Sequence, residues 1–156
     1  MTATIRRLTP TDAPGCDAVI ASLPYFFGDP VGVADCAKAV RSQRGIVSEI
    51  EGEITGFVTM LHHFPESAEI SWMAVHAQHR RSGIGARLMD AAVESAAADG
   101  ARILCVMTLG PSVPEDAADN YEGTRRFYRS QGFVPLRELG LREWNDSHAL
   151  MLARAL

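Results

Sequence analysis

The stretch Gln78-His79-Arg80-Arg81-Ser82-Gly83-Ile84-Gly85-Ala86-Arg87-Leu88-Met89 decides the fold of this chain. Immediately upstream, Ala68-Glu69-Ile70-Ser71-Trp72-Met73-Ala74-Val75 is an apolar run of strand length. Downstream, Ile84, Leu88, Ala91, Ala92 and Ser95 recur at helical spacing, and Gly100 supplies a stop. The stretch therefore reads as a strand, a basic glycine-containing turn and the start of a helix. The first N–H groups of a helix lack partners within it, and the helix dipole puts partial positive charge at the same end. Together they favour phosphate. Gly83 and Gly85 let the backbone approach an anion where a Cβ would intrude, and Arg80, Arg81 and Arg87 add cationic charge nearby. The sequence predicts a pyrophosphate cradle.

Two common phosphate loops do not fit. A dinucleotide fingerprint requires a third glycine three positions after the second, where this chain has Leu88. A P-loop requires Gly-Lys followed by Ser or Thr, and that triplet is absent.

The 156 residues suffice for one domain with a proper core and are too few to expect two, so residues 1–156 are read as a single domain. A formal net charge of −4 argues against general nucleic-acid binding, which makes the basic cluster at 79–81 more informative than the total. No apolar run reaches membrane-spanning length, and the N-terminus has no signal-peptide core. Cys16, Cys36 and Cys105 are odd in number and scattered, which suits a reducing cytoplasm better than a disulfide framework. Neither His-Glu-x-x-His nor Cys-x-x-Cys occurs, so no metal is expected.

Taken in order, Thr4–Leu8 is a first strand, Ala13 to Ser22 a short helix, and Val31 to Ser42 a second helix with Val33, Ala37 and Val40 on one face. Between the helices, Pro24-Tyr25-Phe26-Phe27-Gly28-Asp29-Pro30 concentrates aromatics in a loop. The rings either tuck into the core or form one wall of an acceptor pocket. Ile46–Ile50 and Ile54–Leu61 flank Glu51-Gly52-Glu53 as a hairpin, and residues 62–67 form a loop into the Ala68–Val75 strand. Arg102–Met107 is a continuous apolar strand, expected to lie parallel to Ala68–Val75 because a helix separates them. A proline-rich loop over 108–119 precedes a helix from Tyr121 to Gln131, which Gly132 caps. Residues 133–136 begin a strand, the stretch 139–147 with Trp144 is ambiguous, and Ala149–Ala155 is a final strand.

Arg80-x-x-Gly83-x-Gly85 after a strand ending Met-Ala-Val, and Phe127-Tyr128-x-x-x-Gly132-Phe133 further on, resemble the two signatures of the GCN5-related N-acetyltransferases. The order β-α-α-β-β-β-α-β-α-β-β resembles that family along nearly the whole chain. The resemblance implies an α/β fold of the α+β type, with a mixed central sheet of about seven strands, roughly four helices and splayed central strands. It also implies acetyl transfer from acetyl-CoA to a primary amine by direct attack in a ternary complex. Met73, Ala74, Val75, Arg80, Arg81, Ser82, Gly83, Ile84, Gly85 and Ala86 would bind the cofactor. Homodimers are common in such proteins, so a homodimer is an implied possibility here.

Tyr128 stands where many members carry a tyrosine general acid, and a phenol with a pKa near 10 can protonate a thiolate without prior activation. Glu69 stands where histone-type members carry a glutamate base, although a histidine or a water chain could serve instead. His62 and His63 lie nearby, and Tyr25, Phe26, Phe27, His62 and His63 are the candidate substrate-binding residues. Neighbours on a strand point to opposite faces, so at most one of the two histidines is expected in the site. Cys105 is expected to be a buried structural thiol. One position departs from the pattern: an asparagine common seven residues before the tyrosine is Tyr121 here, next to Asn120. Glu115, Asp116 and Asp119 could meet a cationic amine or simply be solvated. The alternatives to this reading are a non-catalytic acyl-CoA-binding or regulatory module, and a transferase using another acyl-CoA or acceptor.

Overall fold

In the computed structural model, which describes residues 2–111, 121–140 and 148–156, the elements follow the expected order. They are β1 (Thr4–Arg7), α1 (Ala13–Ala21), α2 (Pro30–Ser42), β2 (Arg44–Ile50), β3 (Glu53–Phe64), β4 (Ser67–Val75), α3 (Ile84–Ala98), β5 (Ile103–Leu109), α4 (Glu122–Ser130), β6 (Val134–Gly140) and β7 (His148–Ala155). The strands form one seven-stranded sheet in the order β1-β2-β3-β4-β5-β7-β6. All neighbours are antiparallel except β4 and β5, which run parallel as a strand–helix–strand crossover requires.

Two apolar layers sandwich the sheet. On one face α1 and α2 bury Cys16, Val19, Cys36 and Val40 against Val47 and Phe57. On the other, α3 and α4 bury Leu88, Met89, Ala92 and Tyr128 against Val58, Ile70, Leu104 and Leu152. The helices form because their buried residues recur at three- and four-residue spacing. On α3 these are Ile84, Leu88, Met89, Ala92 and Ala96.

Three sequence expectations need correction. On α2 the buried stripe is Cys36, Ala39 and Val40. Val33 is 37% exposed, because the first turn of α2 projects past the sheet and over a cleft. The stretch 62–67 is no loop: β3 continues through His62, His63 and Phe64, and Phe64 pairs with Ser67 across a tight turn. Helix α4 begins at Glu122, with Tyr121 as its N-cap. Asn120, Glu115, Asp116, Asp119 and Trp144 lie outside the described residues.

Two irregularities in β4 create the opening in the sheet. Thr59 pairs with Trp72 and Met60 with Ile70, which leaves Ser71 as one extra residue on β4. Such a bulge bends its strand and shifts the alternation of side chains. Ala68 and Ile70 therefore face the α3 layer while Trp72 and Ala74 face the α1–α2 layer. The bulge is pinned by Ser71 Oγ, which lies 2.8 Å from Thr59 Oγ1 and also donates to Gln43 Oε1. In the same place β4 and β5 part: their pairing runs from Ser67–Ile103 to Ile70–Val106 and no further. Beyond it β5 stays with β7 up to Leu109, and β4 stays with β3 up to Val75.

Candidate active site in the split of the sheet

The split opens into a cleft of about 1140 Å³. Its floor is β4 from Glu69 to Val75 and β5 from Val106 to Leu109. Since among the described residues Ser71–Val75 has no strand on its β5 side, backbone polar groups of that edge face the cleft. A sheet edge in this state accepts an extended partner as an added strand. Met73, Ala74 and Val75 all line it.

At one end lies the turn into α3. Arg81 and Gly83 have φ of +62° and +82°, so the backbone reverses twice before the helix starts. Gly83 is needed for that conformation, which a Cβ would strain. No side chain caps α3, and its first described backbone acceptor bond is from Arg87 N–H to Gly83 O, 3.2 Å. Among the described residues, then, no acceptor occupies the N–H groups of Arg81 to Ala86. Gly85 has a different reason from the one its sequence position suggests. A Cβ there would lie 3.3 Å from the Phe127 ring and 4.0 Å from Val75, so Gly85 lets α3 sit close to α4 and β4.

The cations divide. Arg80 and Arg81 line the cleft, with the Arg80 guanidinium 4.9 Å from the centre of the Phe26 ring. Arg87, counted with them from sequence, donates to Ala3 O at 2.6 Å, because helical rotation carries it round to the β1 side. The Ser82 hydroxyl turns back to His79 O, which leaves its main chain as the part aligned with the turn.

Tyr128 is buried on α4, edge-on to Phe127 and Phe133, and lines the cleft. Among the described residues its hydroxyl makes no side-chain hydrogen bond, and since no buried side-chain polar atom there is left without a partner, the hydroxyl opens to the cleft. Burial pushes its pKa well above the ordinary phenol value, with the Tyr121 hydroxyl adding to the effect. The phenol is therefore protonated throughout the working range. Arg125, also buried, fixes the end of β5 to α4 by donating to Leu109 O at 2.7 Å.

Glu69 lies at the vertex of the split, one residue before the last β4–β5 pair, and its side chain is 16% exposed. His63 Nε2 lies 2.6 Å from Glu69 Oε1. His62 takes no part: it points to Asp99 (3.8 Å) in a separate shallow depression with Arg44 and Gln43. Strand alternation separates the two histidines, as expected of neighbours in β3. Cys105 pairs with Glu69 across the strands, and its thiol is raised by burial and by the Glu69 charge. A thiol so placed is a poor nucleophile.

The aromatic loop packs against the core through Phe26 and Phe27 and also lines the cleft. Phe27 packs on Trp72, with centroids 6.0 Å apart. Phe26 stands edge-on to Tyr121 at 5.5 Å, and the Tyr121 hydroxyl donates to Phe26 O at 3.0 Å. Tyr25 is 83% exposed at the mouth. Sequence reading missed Trp72, Val31, Val33 and Asp35 as cleft residues. The available signal was that Val31 and Val33 precede the buried stripe of α2 by a full turn. Among the described residues no cluster of metal-ligating side chains occurs, and no helix is long and apolar enough to cross a membrane.

The sequence profile described as an acetyltransferase (GNAT) domain matches residues 41–135. That span contains β4, the turn, α3, β5 and α4. No curated protein matches the chain in sequence. Several solved structures are similar in fold. Ard1 from Thermoplasma volcanium has a TM-score of 0.79 at 20% identity, covering 100% of this chain and 99% of that one. IAA acetyltransferase from Bacillus cereus has a TM-score of 0.75 at 21% identity, covering 99% and 100%. A GNAT family acetyltransferase from Elizabethkingia anophelis, solved with acetyl-CoA bound, has a TM-score of 0.74 at 17% identity, covering 99% and 98%.

Proposed function

The chain belongs to the GNAT acetyltransferase family, and on that premise we propose that it transfers acetyl from acetyl-CoA to a primary amine by direct attack within a ternary complex. One observation carries the cofactor assignment. The acceptor-free N–H groups of Arg81 to Ala86 sit at the end of a cleft whose other wall is an unpaired strand edge. The first feature suits a pyrophosphate. The second suits the amide-bearing arm between the phosphates and the sulfur, which can pair along Met73–Val75. The acetyl-CoA-bound structure from Elizabethkingia anophelis has a similar fold and supports the same reading. Arg80 and Arg81 would add charge to the cradle.

Bound acetyl-CoA supplies an acyl group activated as a thioester. The residues of this chain then divide the remaining work. A backbone N–H at the end of β4 polarises the carbonyl. Glu69 takes the proton that the amine loses on attack, while Tyr128 gives its proton to the departing thiolate. The two transfers balance, and solvent later restores both groups. A single sheet whose strands run from Thr4 to Ala155 supports reading residues 1–156 as one catalytic unit.

Calorimetric titration with acetyl-CoA tests the cofactor, with dephospho-CoA and NAD as controls. Micromolar-range binding that Gly83→Glu weakens is the expected result. Absence of binding overturns the proposal. A non-catalytic acyl-CoA binder would bind equally well, yet show no thiol release with any amine and no response to changes at Tyr128 or Glu69.

A further inference from the structure

Arg80, in the turn before α3, and Phe26, in the loop between α1 and α2, meet with the guanidinium carbon 4.9 Å from the centre of the ring. Arg80 is exposed, lines the cleft and makes no hydrogen bond or ion pair among the described residues. It stands immediately before Arg81 to Ala86, whose N–H groups have no acceptor among those residues. Phe26, by contrast, is held at both ends of its backbone. Its N–H donates to Leu23 O at 3.1 Å, beside the bond from Phe27 N–H to the same oxygen at 3.0 Å. Its carbonyl accepts from the Tyr121 hydroxyl at 3.0 Å, and its ring meets the Tyr121 ring edge-on. Ser22 Oγ accepts from Ala77 N–H at 3.1 Å, which ties the end of α1 to the residues that lead into the turn. The aromatic loop thus reaches from the turn before α3 to the N-cap of α4.

Resting on the acetyl-CoA reading above, we infer that Phe26 is a positioning residue for the cofactor, which acts by holding the Arg80 guanidinium ready for the pyrophosphate. A guanidinium can rest on an aromatic face and still present its N–H donors to a phosphate. An unrestrained arginine gives up rotamer freedom when it grips an anion, and a side chain already held against a ring has lost part of that freedom beforehand. Phe26 can serve as the anchor because Leu23 and Tyr121 fix its own backbone. The coupling is reciprocal. If an ordered loop helps Arg80 to bind phosphate, bound phosphate stabilises the ordered loop by the same factor. Phe27, next in that loop, packs on Trp72 in the cleft, so cofactor binding also firms a surface beside the place where an acceptor must enter.

A double-mutant cycle on acetyl-CoA affinity, measured by calorimetry, tests the assignment. Phe26→Leu keeps an apolar side chain but removes the aromatic face, and should raise the Kd about two- to fivefold. Phe26→Tyr keeps the face and should bind as wild type does. In an Arg80→Gln background Phe26→Leu should change nothing. Hydrogen exchange supplies a second arm that needs no change at Phe26. Saturating acetyl-CoA should slow exchange of the Phe26 and Phe27 amides in the wild type, by a factor similar to the change in Kd, and should lose that effect in Arg80→Gln. An unchanged or tighter Kd in Phe26→Leu would show that the ring competes with the phosphate or is irrelevant to it, and overturns the inference. So does the same loss in the Arg80→Gln background, or equal slowing of exchange there. Each of these leaves the cofactor assignment standing. Wild-type protein that fails to bind acetyl-CoA removes that assignment and the inference with it.

Discussion

His63 Nε2 and Glu69 Oε1 are 2.6 Å apart, which couples a half-exposed imidazole on β3 to a mostly buried carboxylate at the vertex of the split. The pairing holds Glu69 in one orientation and links it to solvent. Glu69→Gln keeps the shape and removes the base, so kcat should fall roughly 10²-fold or more. His63→Gln should cost about tenfold, through a less well-placed Glu69. Steady-state thiol release measures both. A Glu69→Gln enzyme with unchanged kcat would assign the proton to water instead.

Tyr128→Phe separates chemistry from structure. The hydroxyl makes no side-chain hydrogen bond among the described residues, and the ring contacts with Phe127 and Phe133 survive the change. Thermal stability and acetyl-CoA affinity should stay near wild type while kcat drops roughly 10²-fold. Since burial raises the phenol pKa, Tyr128 should impose no alkaline loss of activity up to about pH 10. A variant of wild-type turnover would remove Tyr128 as the acid.

The two glycines of the turn should respond differently. Gly83→Ala meets no neighbour within 4 Å but must hold φ at +82°, at a cost of about 1 kcal/mol. Gly85→Ala has a permitted backbone but presses on Phe127 at 3.3 Å, at a cost of about 1–2 kcal/mol. Trimming Phe127 to Leu should relieve Gly85→Ala and leave Gly83→Ala unaffected. Urea titrations of the single and double variants measure this non-additivity.

Asp12 sets an acid limit on stability. Its side chain, 8% exposed, accepts from both terminal nitrogens of Arg6 at 2.8 Å and from Thr9. The Arg6 guanidinium holds its pKa near 2, below the ordinary 3.8. The unfolded chain therefore takes up the proton first as pH falls. The stabilisation is complete above pH 3.8 and is lost as pH drops through 2. Its size is about 1–2 kcal/mol, discounted because Arg6 remains 34% exposed. Asp12→Asn should lose that amount at pH 7, with the difference from wild type vanishing near pH 2 in denaturation curves.

Much of the architecture was legible because it rests on local rules. Helix α3 could be read from Ile84, Leu88 and Ala92 at helical spacing, and the turn before it from two glycines after an apolar strand. The parallel pairing of β4 and β5 followed from the helix between them. The β3–β4 turn was misread because His62, His63 and Phe64 lie on an exposed strand end, where burial imposes no alternation.

By itself the sequence determined the order of elements, the turn into α3 and the presence of Glu69 on the strand before that turn and of Tyr128 on the last helix. These depend on periodicity and backbone conformation, which neighbouring residues settle. The tertiary structure alone decided which groups share the cleft. It coupled Glu69 to His63 and sent His62 to Asp99, and it turned Arg87 to Ala3 while Arg80 met Phe26. The physical reason lies at Ser71: one extra residue in β4 flips the facing of every side chain after it, and only the register against β3 shows where that residue falls.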